Sequence, residues 1–215
     1  MKIDVARTVG AVVREVRDVT RDGKPAKMVV ATRTYDTDID DLWDALTNGE
    51  RIPRWFLPVS GDLRQGGHFK FEGNAGGEIL RCEKPNLLSV TWAGGPMLTW
   101  LTLHLTAKDG GAELRLEHTA EIGDGAFWDQ FGPGAVGVGW DGGFMGLGLY
   151  LENPDTFGGP AAGAAWATSD EGKAFNRACS EAWCTASIAH GTNPAAARAA
   201  ADRTTTFYTG EEHKH

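Results

Sequence analysis

Apolar and polar residues alternate along four short segments between Gly61 and Ile122, and this alternation limits the possible folds more than any other feature. The apolar side of the four segments consists of Phe69 and Phe71; Leu88, Val90 and Trp92; Leu101, Leu103 and Leu105; and Leu114, Leu116 and His118. Glycine, proline and asparagine separate the segments. A period of two over successive short runs predicts an antiparallel meander with one buried face and one face in water.

The residues before this meander predict a hairpin followed by two short helices. A β-like stretch that starts at Val9 and a second one that ends at Tyr35 flank Asp22-Gly23, a dipeptide typical of hairpin turns. Apolar residues recur at helical spacing over residues 39–46, which predicts an amphipathic helix. Residues 51–55 are expected to form a second helical turn.

After Ile122 the period of the apolar residues becomes helical. The pattern predicts one long helix that starts after Pro133-Gly134 and ends at Asn153-Pro154. This helix is rich in glycine, and each glycine costs ~1 kcal/mol relative to alanine in a helix interior. A helix of this composition therefore needs tertiary packing, which close approach to a sheet would supply.

The C-terminal residues predict a helical extension. The Gly- and Ala-rich residues 158–167 are expected to form a surface loop, and Thr168 to Glu171 have the spacing of a capping box. The helix that follows, up to Gly191, carries Phe175, Cys179, Trp183 and Ile188 along one stripe. Asn193-Pro194 can start a further helix through Ala201. Such a stripe must be covered, either by the same chain or by a second copy, so a homodimer remains possible.

Five local motifs resemble those of a known family, in the right order and over about two thirds of the chain. They are Asp40–Thr47 followed by Ile52–Phe56, Gly66–Phe69, Glu83–Trp92, Leu116–His118 and Gly139–Asp141, the last of which resembles the start of the family's final helix. Together they are similar to the activator-of-chaperone-ATPase branch of the SRPBCC (START-like) superfamily. The resemblance implies an α+β helix-grip fold, in which a curved antiparallel sheet wraps around a long C-terminal helix.

The resemblance also bears on domains and function. The matched motifs run from about residue 28 to 151, and we expect the helix-grip domain to cover residues 1–153. Residues 154–215 are too few for an independent core, so they are expected to form a linker and a helical extension packed on that domain. Most single-domain bacterial members of this branch look like small-molecule-binding proteins, although the branch is named for a co-chaperone domain. The resemblance therefore implies the fold more firmly than the function.

The net charge and the cysteines indicate which kinds of partner and which cellular compartment to expect. The net charge of −8 argues against a general affinity for nucleic acid or anionic membranes. No apolar run is long enough to span a bilayer, so no membrane insertion is expected. Three cysteines without a CxxC motif favour a reducing, cytoplasmic location.

The sequence gives no support for a metal site, a nucleotide cofactor or a catalytic nucleophile. His68, His104 and His118 have no spacing that places metal ligands on one face, so no metal is expected. Residues 137–142 satisfy GxGxxG on paper, but no βαβ unit surrounds them, so no nucleotide cofactor is expected. A GxSxG nucleophile motif does not occur.

Two residues remain as candidates for catalysis. His118 shares the apolar face of its segment, where it is either a hydrogen-bonded core histidine or part of a cavity wall that binds or moves a proton. Asp141 is expected at the start of the long helix, where it is either a cap stabilised by the helix dipole or a functional carboxylate.

Large aromatic residues favour a ligand pocket between the sheet and the long helix. The residues expected to line it are Trp55, Phe69, Phe71, Trp92, Trp100, His118, Phe131, Trp140 and Phe144. We therefore expect the protein to bind a small apolar or aromatic molecule, and the alternative is a solid aromatic core. Two other functions stay open: a cavity enzyme of cyclase, dehydratase or hydrolase type that uses His118, and a protein-interaction or co-chaperone-like module.

Overall fold

In the computed structural model of this chain, which describes residues 2–94, 98–123, 125–154 and 159–211, eight strands form one antiparallel sheet. The sheet is curved and does not close, and its strand order is β1-β2-β8-β7-β6-β5-β4-β3. The strands are β1 (Val13–Arg21), β2 (Lys24–Tyr35), β3 (Val59–Gly61), β4 (His68–Phe71), β5 (Gly76–Glu83), β6 (Leu87–Ala93), β7 (Leu98–Lys108) and β8 (Gly111–Glu121). The predicted meander and the α+β fold class, consistent with a helix-grip fold, are confirmed.

Helices precede, interrupt and follow the strands. They are α1 (Val5–Gly10), α2 (Ile39–Thr47), α3 (Ile52–Trp55), α4 (Ala126–Phe131), α5 (Gly134–Glu152), α6 (Gly159–Ala167), α7 (Asp170–Ala189) and α8 (Pro194–Thr209). Helix α5 is the predicted long helix, and α7 and α8 form the predicted helical extension.

The chain divides into two compact units. The central unit comprises Thr32–Ala120 and Gly143–Ala162, and the terminal unit comprises Met1–Ala31, Glu121–Gly142 and Gly163–His215. Strand β2 and helix α5 each contribute residues to both units. The domain boundary that the sequence suggested, between residues 153 and 154, stays a prediction.

The buried face of the central unit follows from the alternation in β7 and β8. Leu101 pairs with His118 and Leu103 pairs with Leu116, and these four side chains are all buried. Arg115 and Glu117, which alternate with Leu116 and His118 on β8, are half-buried. Since side chains point alternately to the two faces of a strand, this register places His118 on the same face as the leucines.

The first two strands form the predicted hairpin, but the residues before β1 form a short helix instead of extending the strand. Asp22 and Gly23 both have positive φ, at 49° and 80°, as a two-residue hairpin turn requires. The β-like interpretation from Val9 is wrong for its first residues, since Val5–Gly10 form helix α1. The side chain of Asp4 accepts a hydrogen bond from the Arg7 N–H and so caps this helix, which outweighs the β preference of Val9.

Glycine allows helix α5 to approach its neighbours closely. Seven of its 19 residues are glycine. In the terminal unit, a Cβ at Gly137 would lie 2.2 Å from Cε2 of Trp183 on α7. In the central unit, a Cβ at Gly148 would lie 2.6 Å from Nη2 of Arg33 on β2. The expected dependence of this helix on close packing is therefore visible at both positions.

The C-terminal extension differs from the prediction in two places. The expected loop is wrong, because Gly159–Ala167 form helix α6, while Gly158 lies outside the described residues. The run of alanines, which have the highest helix propensity, explains the helix. The capping box is wrong as well: Ser169 caps α7, and the carboxylate of Glu171 instead accepts hydrogen bonds from the Trp166 indole and the Ile3 N–H.

The end of α7 and the start of α8 are close to the prediction, whereas α8 is longer than predicted. Helix α7 ends at Ala189, before Gly191 with a φ of 110°. Helix α8 starts after Asn193, whose side chain accepts hydrogen bonds from the first turn, and it continues to Thr209 rather than to Ala201. The predicted stripe on α7 is buried within this chain at Phe175, Cys179 and Trp183.

Candidate functional site

Three neighbouring strands of the central unit bring a set of aromatic rings together. Phe69 and Phe71 on β4 and Trp92 on β6 have ring centroids 5.4 to 6.0 Å apart. Strand β5 lies between them, and Phe69 pairs there with Gly77. The ring of Phe69 lies 6.0 Å from that of Trp92, with β5 between their strands. We call Phe56, Phe69, Phe71 and Trp92, together with Trp55, the ring cluster.

The last residue of α3 and the residue after it complete this cluster. The ring of Phe56 meets Phe71 edge-on, with centroids 5.0 Å apart, and the ring of Trp55 lies 5.5 Å from that of Phe56. The indole of Trp55 donates to the carbonyl oxygen of Ala45 on α2 at 2.9 Å, which fixes its orientation. Phe56 is absent from the predicted set, although its place directly after Trp55 in a family motif is a signal that could have included it.

A polar pair of one buried and one half-buried residue lies on the same sheet face, next to Trp92. Nε2 of His118 lies 2.8 Å from Oγ1 of Thr99, and the Thr99 hydroxyl donates to the carbonyl oxygen of Trp92 at 2.8 Å. Thr99 and Trp92 are register partners on β7 and β6. Since the single hydroxyl proton goes to Trp92, His118 is the donor to Thr99, and the imidazole therefore carries its proton on Nε2.

Burial decides the charge of His118. Only 5% of the residue is exposed, and this desolvation lowers the pKa of the imidazole to about 4. The ring is therefore neutral near pH 7. A neutral imidazole in an apolar wall can orient a ligand by hydrogen bonding, but it has no second proton to give as an acid.

The other predicted lining residues lie apart from the ring cluster. Trp100 is register partner to Thr91 and Thr119, on the face of β7 opposite Leu101. Phe144 is buried on α5 and stacks on Tyr35, with centroids 6.4 Å apart. Phe131 and Trp140 belong to the terminal unit, where the ring of Phe131 contacts those of Phe127 and Phe207. Of the nine predicted residues, the central unit thus brings Trp55, Phe69, Phe71, Trp92 and His118 to one region.

Asp141 has a different environment from the one expected. It lies in the interior of α5 rather than in its first turn, so the prediction of a helix-start carboxylate is wrong. The guanidinium of Arg14 faces it with two contacts, Nη2 to Oδ1 at 3.1 Å and Nε to Oδ2 at 3.2 Å. The indole of Trp183 donates to Oδ2 at 3.0 Å. Burial raises the pKa of this carboxyl, and Arg14 opposes that rise.

The charged cluster around Asp141 joins three parts of the terminal unit. Arg14 lies on β1, Asp141 on α5 and Trp183 on α7. The Nη1 atom of Arg14 also donates to the carbonyl oxygens of Val9 and Val12. With its oxygens engaged by Arg14 and Trp183 and almost no exposed surface, Asp141 has the surroundings of a structural ion pair.

Within the ranges that the structure describes, no three His, Cys, Asp or Glu side chains come together as a metal ion would require. Across the same ranges, none of the helices combines the length and apolarity needed to cross a bilayer.

The family of this chain follows from comparison with known proteins. The family described as activator of Hsp90 ATPase homolog 1-like protein matches residues 36–152, which is more than half of the chain and includes the ring cluster and His118. The chain therefore belongs to this family, and the predicted resemblance is confirmed. No match is found among the curated proteins.

Solved structures of other proteins are also similar to this chain. The crystal structure of CalU16 from Micromonospora echinospora is 31% identical, with a TM-score of 0.67, over 82% of this chain and 98% of that one. Its solution NMR structure is 31% identical, with a TM-score of 0.68, over 85% and 97%. Protein MLL2253 from Mesorhizobium loti is 26% identical, with a TM-score of 0.50, over 58% and 96%. The similarity to CalU16 covers more of the chain than residues 36–152, so it includes part of the terminal segments.

Proposed function

We propose that the protein binds a small, largely apolar molecule against the ring cluster of the central unit, with the His118–Thr99 pair as its polar contact. Ligand sites are usually apolar walls with a few well-placed polar groups, and these residues have that composition. The known proteins that the chain resembles supply the fold for such a site, while the ligand is inferred from the residues alone.

The observation that supports this proposal most strongly is the partial exposure of the rings. Phe69 is buried, but Trp55, Phe56, Phe71 and Trp92 are only half-buried. In a solid core these large rings would be covered almost completely, because apolar surface withdrawn from water contributes roughly 25 cal/mol per Å². A ligand that covers the exposed part of these adjacent rings would gain that free energy on binding.

The state of His118 favours binding over catalysis. A general base works best when its pKa lies near the working pH. The pKa of His118, about 4, makes it a weak base near neutral pH, and its proton on Nε2 is already donated to Thr99. We therefore assign His118 and Thr99 the role of orienting a neutral polar group of the ligand.

Titration with N-phenyl-1-naphthylamine, an uncharged fluorescent probe, tests this proposal. We expect saturable binding with one probe per chain. Phe71→Ala should weaken the affinity at least about fivefold, because it removes a ring from the centre of the cluster. Phe207→Ala is the matched control: this ring is 70% exposed in the terminal unit, and its loss should leave the affinity unchanged.

Two results would contradict the proposal. One is an absence of saturable binding by folded protein, which would favour the solid-core alternative. The other is equal affinity of the wild type and the Phe71→Ala variant, which would place the probe elsewhere.

A further inference from the structure

Arg33 on β2 holds its guanidinium in a fixed position against α5. Its Nη1 donates to the carbonyl oxygen of Phe144 at 3.0 Å, and the centre of the guanidinium lies 4.7 Å from the ring centroid of Tyr35. Gly148 provides the space, since a Cβ there would lie 2.6 Å from Nη2. All four residues belong to the central unit.

One edge of this guanidinium is unused. Its Nε is buried and has no hydrogen-bond partner, and no described group accepts from Nη2 on the same edge. Other arginines that are withdrawn from solvent face carboxylates: Arg14 pairs with Asp141, and Arg51 pairs with Asp41 and Asp44. In the part of the chain that the structure describes, no Asp or Glu pairs with Arg33. Buried donors in proteins are nearly always hydrogen-bonded, so we expect an acceptor to bind at this edge.

The geometry of this unpaired edge defines the chemistry of that partner. The Nε–H and Nη2–H bonds of a guanidinium are parallel, and they match the two oxygens of a carboxylate. The side chains of Arg33 and Tyr35 both reach α5 from the same face of β2, which is the face turned toward the helix. A carboxylate at this edge would therefore lie between strand and helix.

We propose that the ligand of the central unit is an amphiphile whose carboxylate pairs with the Nε and Nη2 edge of Arg33. This inference rests on the proposed function and names its substrate class. In the sheet order, β8 and β7 lie between β2 and β6, which carries Trp92. A molecule that touches Arg33 and the ring cluster has to span at least three strand spacings, roughly 14 Å. The ligand is therefore elongated, with an anionic head and an apolar body.

Binding of dansylaminoundecanoic acid and of its methyl ester tests this inference. The two probes share the chain and the fluorophore, and at about pH 8 only the acid is charged. The wild type should bind the acid about tenfold or more tightly than the ester, as expected for a charge-assisted bidentate contact. Arg33→Met should abolish this preference and leave the affinity for the ester unchanged. Arg64→Met, at an exposed arginine that pairs with Asp62, should keep it.

The possible outcomes separate this inference from the proposed function. Equal affinity of the wild type for acid and ester overturns the role of Arg33 even if the Arg33→Met variant does not fold, as does an acid preference that survives in Arg33→Met. In either case saturable binding of N-phenyl-1-naphthylamine leaves the proposed function standing. If neither dansyl probe nor N-phenyl-1-naphthylamine binds, both proposals fail.

Discussion

At the scale of single residues, the buried imidazole of His118 couples folding to pH. Its pKa is about 4 in the folded protein and 6.5 in a model peptide, so the unfolded chain binds more protons between these values. The free energy of unfolding should therefore fall as the pH drops from about 6.5 to about 4, by up to about 3 kcal/mol. Urea unfolding at a series of pH values measures this loss.

Two variants isolate the contribution of His118. In His118→Gln the loss between about pH 6.5 and 4 should be smaller by that amount. His68→Gln, at an exposed position on β4, should follow the wild type. A difference between His118→Gln and the wild type that does not change with pH would show that this imidazole is not desolvated.

The ion pair of Arg14 and Asp141 should be costly to break from one side. Both side chains are almost fully buried, so Asp141→Ala leaves a guanidinium without its counter-charge and should lower the free energy of unfolding by about 3–5 kcal/mol. Adding Arg14→Met should restore part of the loss, because the buried charge is then gone. Chemical denaturation measures both effects.

An exposed pair supplies the comparison for that prediction. Asp62→Ala breaks the contact with Arg64, where both side chains remain largely in solvent, and should leave the free energy of unfolding almost unchanged. A similar small cost for Asp141→Ala would contradict the structural role that we assign to Asp141.

At the scale of secondary-structure elements, the glycines of α5 should differ sharply in their tolerance of a side chain. Gly137→Ala would place a Cβ against the Trp183 ring and should destabilise the protein by about 1–3 kcal/mol or more. Gly142→Ala meets no atom within 4 Å and should stabilise the helix by up to about 1 kcal/mol. Thermal unfolding of the two variants checks this, and equal shifts would mean that α5 and α7 do not pack as described.

Most elements of the fold could be predicted because their determinants are local. Alternation fixed the strands and the buried face of His118, and Asp22-Gly23 marked the hairpin. The errors at α1 and α6 have local causes, an aspartate cap and a run of alanines. The surroundings of two other residues have long-range causes: Glu171 accepts from Ile3, 168 residues away, and Asp141 pairs with Arg14, 127 residues away. No local pattern reveals such contacts.

The candidate site was accessible to sequence reasoning only in part. The aromatic residues of single strands could be selected, but the Thr99 partner of His118 depends on strand register. That the Nε edge of Arg33 has no partner follows from the packing of α5 onto β2, which the sequence does not show. Trp100, by contrast, could have been left out from the sequence alone, because alternation with Leu101, Leu103 and Leu105 already assigns it to the opposite face.

At the scale of the whole molecule, the C-terminal helices should be required for a stable protein. Trp183 is buried and donates to Asp141, and Glu171 accepts from the Ile3 N–H, so α7 covers other segments of the terminal unit. A chain that ends at Pro154 should aggregate or melt at a clearly lower temperature. Size-exclusion chromatography and thermal unfolding measure both properties.

A shorter truncation tests whether this effect is specific. A chain that ends at Gly210 keeps α7 and α8 and loses only the exposed contacts of Glu211 among the described residues, so it should behave as the full chain does. If the chain that ends at Pro154 is monomeric and as stable as the full protein, the C-terminal helices have no structural role.

The central claim is that the half-buried rings of the central unit and the His118–Thr99 pair form a ligand site. A crystal structure of the protein with N-phenyl-1-naphthylamine bound tests it most directly. We expect one probe molecule in contact with Phe71 and Trp92, on the sheet face that carries His118. A probe bound elsewhere, with the surface of these rings filled by the protein's own side chains, would contradict it.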